Sequence, residues 1–298
     1  MSQDLSQESR PVIFGEVLYD RFPDGRQVLG GAPFNVAWHL QAFGLNPYFI
    51  SSVGNDKLGA SIKNAMLDWG MDISGLQVNE TYPSGTVEVS IENNEPSYDI
   101  VDQRAWDYIE YDPINSPRHQ GVLYHGSLAT RNKTSRTTLE KIKKDYSCPL
   151  FIDVNLRSPW WQKDSVCQYI ETSQIVKINE EELALLVSEE HTLNSQIDFL
   201  LKNSSIETLI VTCGAAGAIA ALKSGEQFRV KPDKAIKLID TVGAGDSFSS
   251  VILLGTIKKW PLKLTMERAQ QFASRIVGIQ GATINDKTFY DSLLANWR

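Results

Sequence analysis

The sequence predicts an α/β protein in which helices cover both faces of a mainly parallel sheet. Short runs of β-forming residues alternate with amphipathic segments along most of the chain, which is the pattern of repeated strand-helix-strand units. Runs such as PLFIDVN and IVKIN are apolar at their centres, as strands buried on both faces are. The 298 residues are 42% hydrophobic and 22% charged, which fits one large globular domain.

The N-terminal part begins with this alternation and then departs from it. A strand is predicted over Val12–Tyr19, and a helix begins at the glycines of GGAPFNVAWHLQAFG and ends near Gly44. The next strand is NPYFISSVGND, and LGASIKNAMLDWGM is helical. Within Thr86–Val101 apolar and polar residues alternate on both sides of the turn-forming ENNEP, which predicts a two-faced hairpin.

The rest of the chain returns to short buried strands and helices. Strands are predicted at GVLYHGS, PLFIDVN, IVKIN, TLIVTCG and GAIAAL. Helices are predicted at about Arg136–Lys144 and Glu180–Val187, and the chain from Gly245 onward is mostly helical in character. We expect a single domain over residues 1–298, since no repeat or obvious linker interrupts the pattern.

Composition and charge argue against several classes of protein. A net charge of −7 does not suit a surface for the phosphate backbone of nucleic acid. Cys148, Cys167 and Cys213 have neither paired nor metal-ligand spacing, so no disulfide framework or zinc site is indicated. The start MSQDLSQESRP lacks the features of an export signal, and no segment approaches the roughly 18 apolar residues of a membrane span. We expect a cytoplasmic protein that binds neither nucleic acid nor membrane.

The stretch DTVGAGDSF, Asp240–Phe248, leads directly into an apolar helical run. In an open α/β sheet, ligands collect at such corners because free N–H groups and the helix dipole favour anions. Glycines at positions 243 and 245 permit close approach, so the amides of Gly243, Ala244 and Gly245 could converge on one anionic oxygen.

Asp246 is an unexpected neighbour for an anion site, because a carboxylate repels the ligand unless it has a chemical task. Acting as general base for an attacking hydroxyl is such a task, and it recurs in phosphoryl transfer. The alternative is an aspartate that caps a helix after a flexible turn. These nine residues by themselves leave both interpretations open.

The long motifs resemble those of one family. DTVGAGDSF resembles the C-terminal signature of the ribokinase-like, or pfkB, carbohydrate kinases, and GGAPFNVAWHLQAFG with SSVGNDKLG resembles the N-terminal one. FIDVNLR, VKINEEEL and VTCGAAGA also match family segments, so the resemblance covers nearly the whole chain. It implies a ribokinase-like three-layer αβα sandwich with a mainly parallel central sheet and a small β lid from about residues 17–31 and 84–105.

The resemblance implies transfer of the γ-phosphate of ATP to a sugar hydroxyl, with Mg²⁺ as the cofactor. It makes Asp246 the catalytic base, and it makes Gly243, Ala244 and Gly245 the anion hole for the transferring group. A lid that closes over the sugar would exclude water, which would otherwise hydrolyse ATP.

At the substrate end, the resemblance implies sugar contacts from Asp20, Gly30, Gly31 and Asn35. A carboxylate such as that of Asp20 can accept hydrogen bonds from two neighbouring hydroxyls, although a turn aspartate and a helix-capping asparagine are the structural alternatives. The other substrate-side candidates are Arg104, which follows the lid and could equally be a solvated arginine, and Asn155 and Arg157 of the D-x-N-x-R segment. Asp153 alternates with them, so the strand period would place all three on one side.

At the nucleotide end, Asn179 and Glu182 are implied to organise Mg²⁺ and its waters, although three-residue spacing at a helix start also fits simple capping. The remaining nucleotide candidates are Thr212, Gly214, Gly217, Ala273, Ile276, Val277 and Gly281, of which the last four would look the same in ordinary core packing. Some relatives bind K⁺ through the loop that here contains Asp240 and Val242, and the sequence leaves open whether this chain does.

Fructose is the first substrate expected, because GEVLYD, GGAPFNVA and DVNLR look most like fructokinases. 2-Keto-3-deoxygluconate kinase is the close alternative and would need a cation such as Arg104 for the sugar-acid carboxylate. Purine nucleosides are less favoured, since the lid has no evident aromatic sandwich. A non-catalytic sugar or nucleotide sensor would gain nothing from Asp246, and an oxidoreductase would need a G-x-G-x-x-G motif after the first strand. Lids of similar kinases often pair, so a homodimer through the lid is also expected.

Overall fold

A computed structural model describes residues 10–92, 95–112, 121–145, 148–233 and 238–297. The predicted ENNEP turn lies partly outside these residues, and the polar N-terminal stretch lies almost wholly outside them. The strands in the described part are β1 Val12–Phe14, β2 Leu18–Arg21, β3 Gln27–Gly30, β4 Tyr48–Gly54, β5 Leu76–Asn79, β6 Gly85–Glu92, β7 Glu95–Ile100, β8 Leu123–Gly126, β9 Leu150–Asp153, β10 Ile175–Asn179, β11 Thr208–Thr212, β12 Ala218–Leu222 and β13 Gln227–Val230. The helices there are α1 Ala32–Ala42, α2 Lys57–Asp68, α3 Lys133–Asp145, α4 Lys163–Glu171, α5 Glu180–Leu186, α6 Leu193–Asn203, α7 Ala244–Ile257, α8 Leu262–Ile276 and α9 Lys287–Asn296.

The larger sheet confirms the predicted parallel architecture. Its order across the described strands is β13-β12-β11-β10-β9-β8-β1-β4-β5, and all pairs from β11 to β5 are parallel. Strands β12 and β13 continue one edge in antiparallel fashion. Strand β1 has β4 on one side and β8 on the other. The chain therefore adds strands first on the β4 side and later on the β8 side, and the strand order reverses beside β1. Ligands in open α/β sheets bind at the carboxyl ends of strands near such a reversal.

Helices cover both faces of this sheet, as the αβα prediction requires. Alternate residues of β1 face opposite layers: Ile13 packs with α1, α7 and α8, whereas Val12 and Phe14 pack with the layer that includes α3. Helices α4, α5 and α6 contribute to a further cluster on β9 to β12. Helix α7 is buried from Ser247 to Gly255, which explains why this stretch carries no charged residue on any side.

A second sheet, called the lid sheet, forms from the segments in which the lid was predicted, and its start corrects one expectation. Its order is β3-β2-β6-β7, and the β6–β7 pair confirms the predicted hairpin, with Val89 opposite Tyr98. The strand predicted over Val12–Tyr19 is in fact two strands in two sheets, and Asp20 lies within β2 rather than beyond the first strand. The chain leaves the central sheet at Gly15, where a Cβ would lie 2.3 Å from Pro33 Cγ, and a continuous run of β-forming residues gives no sign of that change.

No helix in the described part of the chain is long and apolar enough to cross a membrane.

Candidate active site

The corner at Gly243–Asp246 lies at the start of α7, beside the carboxyl ends of the central strands. Gly243 is the N-cap residue and has a left-handed φ of 79°. A Cβ there would lie 2.5 Å from Ala282 Cα, so close packing as well as backbone conformation requires glycine. The first bond within the helix runs from the Ser247 amide to Gly243 O at 2.8 Å, which leaves the amides of Gly245 and Asp246 free of helical partners. The Ala244 amide is 3.3 Å from Thr241 O and donates within the turn.

The Asp246 carboxyl is held by Asn35 of α1. Asn35 Nδ2 donates to Asp246 Oδ2 at 2.7 Å, which joins the N-terminal and C-terminal signature segments directly. The pKa of Asp246 is raised to about 6, chiefly by burial and also by the charge of Asp153, whereas the Asn35 hydrogen bond, Lys177 and Arg157 oppose this rise. A carboxyl with this pKa is mostly ionised at neutral pH yet basic enough to accept a proton.

Asp20 of the lid converges on the same place. A Cβ on Gly30 would lie 3.8 Å from Asp20 Oδ2 and 3.9 Å from Asn35 Oδ1, so the two oxygens border one small space. Burial raises the pKa of Asp20 to about 6, and Arg157 opposes that rise. Gly31 has a φ of 110° and packs so tightly on Glu16 O that a Cβ would approach to 2.6 Å. The predicted sugar contacts Asp20, Gly30 and Asn35 therefore lie next to Asp246.

A buried ion pair lies beneath the corner. Lys177 Nζ is 2.7 Å from Asp153 Oδ1, and a Cβ on Gly245 would lie 3.4 Å from the same nitrogen. Tyr124 and Ser249 both donate to Asp153 Oδ2, at 3.1 and 2.5 Å. Burial lowers the pKa of Lys177, but Asp153, Asp246 and Glu182 more than offset this and leave it raised, so the ammonium stays charged. The interior thus places one positive charge behind the backbone at the start of α7.

Asp153 therefore faces the protein interior and not a ligand, which corrects the expectation that it would share a side with Asn155 and Arg157. Strand β9 ends at Asp153, so the period of two does not continue. Asn155 is anchored through its backbone, which both donates to and accepts from Ser127 Oγ at 3.0 and 2.7 Å. Arg157 is exposed, and its charge lowers the pKa values of Asp20 and Asp246, so its guanidinium lies close enough to act on both.

Arg104 follows the lid, at the start of a short 3-10 helix, Ala105–Tyr108. Its backbone N–H donates to Asp107 Oδ2 at 3.0 Å. Its side-chain Nε is buried and has no hydrogen-bond partner among the described residues. A buried donor in this state is costly in a protein and suits a site that a ligand completes.

Asn179 and Glu182 form a capping box at the start of α5. Asn179 Oδ1 accepts from the Glu182 amide at 2.8 Å, and Glu182 Oε2 accepts from the Asn179 amide at 3.1 Å. Glu182 Oε1 also accepts from the Leu156 amide at 2.9 Å, so this side chain fixes the loop that carries Arg157. Burial raises the pKa of Glu182. The structural alternative from the sequence, helix capping, is therefore present in the structure.

The remaining nucleotide candidates lie at the end of β11, in the turn before β12, and on or just after α8. Thr212 ends β11 and Gly214 begins a short turn before β12, whereas Gly217 packs so closely on Val230 O that a Cβ would approach to 1.9 Å. Ala273 and Ile276 are buried on α8, Ile276 completely.

Asp240 ties the loop before α7 to the end of α8. Its Oδ1 accepts from the Val242 amide and its Oδ2 from the Gly281 amide, each at 3.0 Å, while Val277 O accepts from the Asp240 amide at 3.2 Å. Asp240, Val242, Val277 and Gly281 therefore form one connected loop region. Among the described residues, no cluster of three or more histidine, cysteine or acidic side chains could hold a metal ion.

Comparison with known proteins assigns the family. The model of the pfkB family of carbohydrate kinases matches residues 4–288. The chain belongs to the pfkB family of carbohydrate kinases. This kinase is 30% identical to a fructokinase from Klebsiella pneumoniae over 258 residues, which cover 82% of this chain and 83% of the relative.

Solved structures agree with the ribokinase-like fold. An aminoimidazole riboside kinase from Salmonella enterica, in complex with aminoimidazole riboside and an ATP analogue, superposes with a TM-score of 0.82 at 22% identity and covers 97% of this chain and 100% of its own. A fructokinase from Vibrio cholerae, with fructose, ADP and a calcium ion bound, has a TM-score of 0.80 at 24% identity and covers 98% of this chain and 99% of its own. At these identities the likeness establishes the fold.

Two buried charged residues of this carbohydrate kinase were not identified from its sequence. Lys177 is the one charge in the apolar strand IVKIN, and Glu16 is the one charge in VIFGEVLY. A charged residue inside a run that is otherwise fit for burial is rarely left unpaired. That signal was available in both runs and would have identified both residues as candidates.

Proposed function

We propose that this carbohydrate kinase transfers the γ-phosphoryl group of ATP to a hydroxyl of fructose, with Asp246 as the general base. The observation that carries the proposal is the Asn35–Asp246 hydrogen bond of 2.7 Å. It joins Asp246, a carboxyl of raised pKa at a helix N-terminus, to a residue that borders the same small space as the Asp20 carboxyl. The names of the relatives support fructose, since the similar proteins from Escherichia coli and Klebsiella pneumoniae, at 29% and 30% identity, are called fructokinases.

Each side chain has a separate task in this mechanism. Asp20 and Asn35 hold hydroxyls of the sugar above Gly30, and this presents one hydroxyl to Asp246. Asp246 accepts the proton of that hydroxyl as its oxygen attacks the γ-phosphorus. The Asn35 amide keeps the carboxylate oriented, and Arg157 adds positive charge on the substrate side. Positioned proton transfer of this kind contributes on the order of 10²–10⁴ in rate.

The phosphoryl group is stabilised by the N-terminus of α7 and by the buried Lys177 ammonium. Free amides at the start of α7 point toward the anion, and the Lys177 ammonium lies behind Gly245. The sequence assigned the anion hole to Gly243, Ala244 and Gly245. Because the Ala244 amide donates to Thr241 O, the amides of Gly245 and Asp246 contribute most in this arrangement.

The residues also fit a magnesium ion that is held through water. Each oxygen of Glu182 accepts one backbone N–H, and a carboxylate oxygen can accept a second hydrogen bond, so Glu182 can receive ion-bound water without leaving its cap. Mg²⁺ commonly keeps several waters and takes its other ligands from substrate phosphates, and it supplies neutralisation of their charge. Asn179 holds Glu182 in place for this role. K⁺ binding near Asp240 and Val242 stays a prediction.

A sugar acid is the second candidate substrate. The buried, unpartnered Nε of Arg104 favours it, since a guanidinium is suited to a carboxylate such as that of 2-keto-3-deoxygluconate. The direct test is ADP formation with Mg·ATP over a panel of hexoses, ketoses, sugar acids and nucleosides. Fructose should give the highest kcat/KM; a higher value for a sugar acid would favour the second candidate, and no stimulation by any sugar would refute the proposed activity.

We further propose a cytoplasmic homodimer that forms through the lid. Strands β3 and β7 are the two edges of the lid sheet, and among the described strands neither has a partner on its outer side. Exposed edges of this kind pair readily with another chain. Sedimentation velocity should give a dimer, and a monomer at high concentration would contradict this assembly.

A further inference from the structure

Ser249 carries a buried hydroxyl to which the proposed mechanism gives no task. It follows Gly245 by four residues, one turn further along α7, and is 0% exposed. Its Oγ is 2.5 Å from Asp153 Oδ2 and 3.0 Å from Gly245 O. The side chain therefore bridges the first turn of α7 and the end of strand β9.

The contact with β9 distinguishes Ser249 from the other hydroxyl residues of its helix. Those hydroxyls donate to carbonyl oxygens of α7 itself, as serine and threonine commonly do within helices; they belong to Ser247, Ser250 and Thr256. Ser249 has one proton to donate, and 2.5 Å is typical of a hydroxyl that donates to a carboxylate. The proton is therefore shared chiefly with Asp153, a residue of another layer of the fold.

Asp153 links this hydroxyl to the positive charge behind the start of α7. Its Oδ1 accepts from Lys177 Nζ at 2.7 Å, and its Oδ2 also accepts from Tyr124 at 3.1 Å. A Cβ on Gly245 would lie 3.4 Å from the same Nζ. Ser249 thus holds the first turn of α7 against the carboxylate that also orients the ammonium.

We propose that Ser249 is a positioning residue for phosphoryl transfer, which fixes the first turn of α7 on the Asp153–Lys177 pair. The free amides of Gly245 and Asp246 then keep one arrangement, with the ammonium behind them, toward the transferring group. Preorganised donors stabilise the charge of a transition state, and a small displacement weakens that stabilisation. This inference rests on the proposed kinase function and deepens it, because it names a residue that acts through the backbone and not on the substrate.

The test compares two adjacent serines of α7. Ser250→Ala is the matched control for Ser249→Ala, because Ser250 is equally buried and its Oγ donates to Ser247 O at 2.6 Å, within the helix. Removing a donor of an anion hole costs about 10²–10³ in kcat, and Ser249 acts one contact further away, so we expect Ser249→Ala to lower kcat about tenfold. The KM values for fructose and ATP should stay within about threefold. Ser250→Ala should leave all three constants within about twofold.

Two further variants at the same position separate loss of the hydroxyl from loss of packing. Ser249→Thr keeps a hydroxyl and should retain kcat within about threefold of wild type. Ser249→Cys fills similar space with a weak donor and should lose kcat about as the alanine variant does, which gives the same test if Ser249→Ala does not fold.

Inhibition by ADP with aluminium fluoride, a mimic of the transferring phosphoryl group, separates positioning from general damage. In Ser249→Ala this inhibition should weaken about tenfold, while inhibition by ADP alone stays within about twofold. An unchanged kcat in a folded alanine or cysteine variant, equal losses for both inhibitors, or a threonine variant as impaired as the alanine variant would overturn the proposal. A wild type that phosphorylates no sugar would instead refute the proposed function, whereas an active wild type with an equally active Ser249→Ala variant would refute this inference alone.

Discussion

Replacing Asp246 with asparagine should lower kcat by more than about a hundredfold and stabilise the protein at neutral pH. The two effects share a cause: the reaction needs Asp246 ionised, and an ionised carboxylate in a buried position destabilises the folded state. Its pKa rises from 3.8 to about 6, so about two pKa units separate the folded from the ordinary value. At about 1.4 kcal/mol per unit, ionised Asp246 costs the folded state up to about 3 kcal/mol.

The sign of the pH dependence follows from this raised pKa. Below about pH 4 the carboxyl is protonated in both the folded and the unfolded protein, so the asparagine variant gains nothing there. Between about pH 4 and pH 6 the unfolded chain ionises while the buried carboxyl of the folded wild type stays largely protonated, so the stability difference grows. Above about pH 6 it levels off at its upper limit of about 3 kcal/mol. Asparagine keeps an oxygen that can accept from Asn35 Nδ2, so the hydrogen bond survives the substitution.

The assay is urea unfolding at pH 4 and pH 8 together with steady-state kinetics. We expect Asp246→Asn to match wild type at pH 4, to be more stable at pH 8, and to lose more than about a hundredfold in kcat with KM values within a few-fold. The exposed Asp198 of α6 provides the control, since Asp198→Asn should change neither quantity. A variant that retains kcat, or one that is less stable than wild type at pH 8, would refute the reasoning.

Three further predictions concern neighbouring side chains. The kcat of wild type should fall about tenfold between pH 7 and pH 5, because Asp246 with a pKa of about 6 becomes protonated. Asn35→Leu should shift this acidic limb of the kcat–pH profile to higher pH, since the substitution removes the hydrogen bond that lowers the pKa of Asp246. A limb that does not move would contradict the Asn35 contact. Asp20→Ala should raise the KM for the sugar about tenfold to a hundredfold at constant KM for ATP, and an unchanged sugar KM in a folded variant would remove Asp20 from the site. His39 is buried with a pKa lowered to about 3, so it stays neutral while the unfolded chain takes up a proton below about pH 6.5. Urea unfolding should therefore show that wild type loses about 2 kcal/mol more than His39→Gln between pH 7 and pH 5, and equal losses would show that His39 is protonated in the native state.

Much of the fold could be predicted from local patterns. Helix α7, the buried strands β8 to β12 and the lid hairpin all follow from hydrophobic period and turn residues, because these signals act within a few residues. The split of Val12–Tyr19 into β1 and β2 could not be predicted, since both halves have the same composition. Only the packing of Gly15 on Pro33 reveals where the chain leaves one sheet for the other.

The candidate site divides in the same way. The segment Gly243–Asp246 could be identified as a candidate anion site from its own sequence, because glycines at a helix N-terminus leave N–H groups open to an anion. Whether Asp246 is a base or a helix cap could not be decided from these residues alone. The hydrogen bond from Asn35 to Asp246, and the ion pair of Lys177 with Asp153 behind Gly245, depend on strand order. The sequence by itself determined the α/β architecture and identified this corner as the candidate site. The tertiary structure alone decided which distant side chains meet there and how far their pKa values move, since burial and charge proximity are properties of the packed chain.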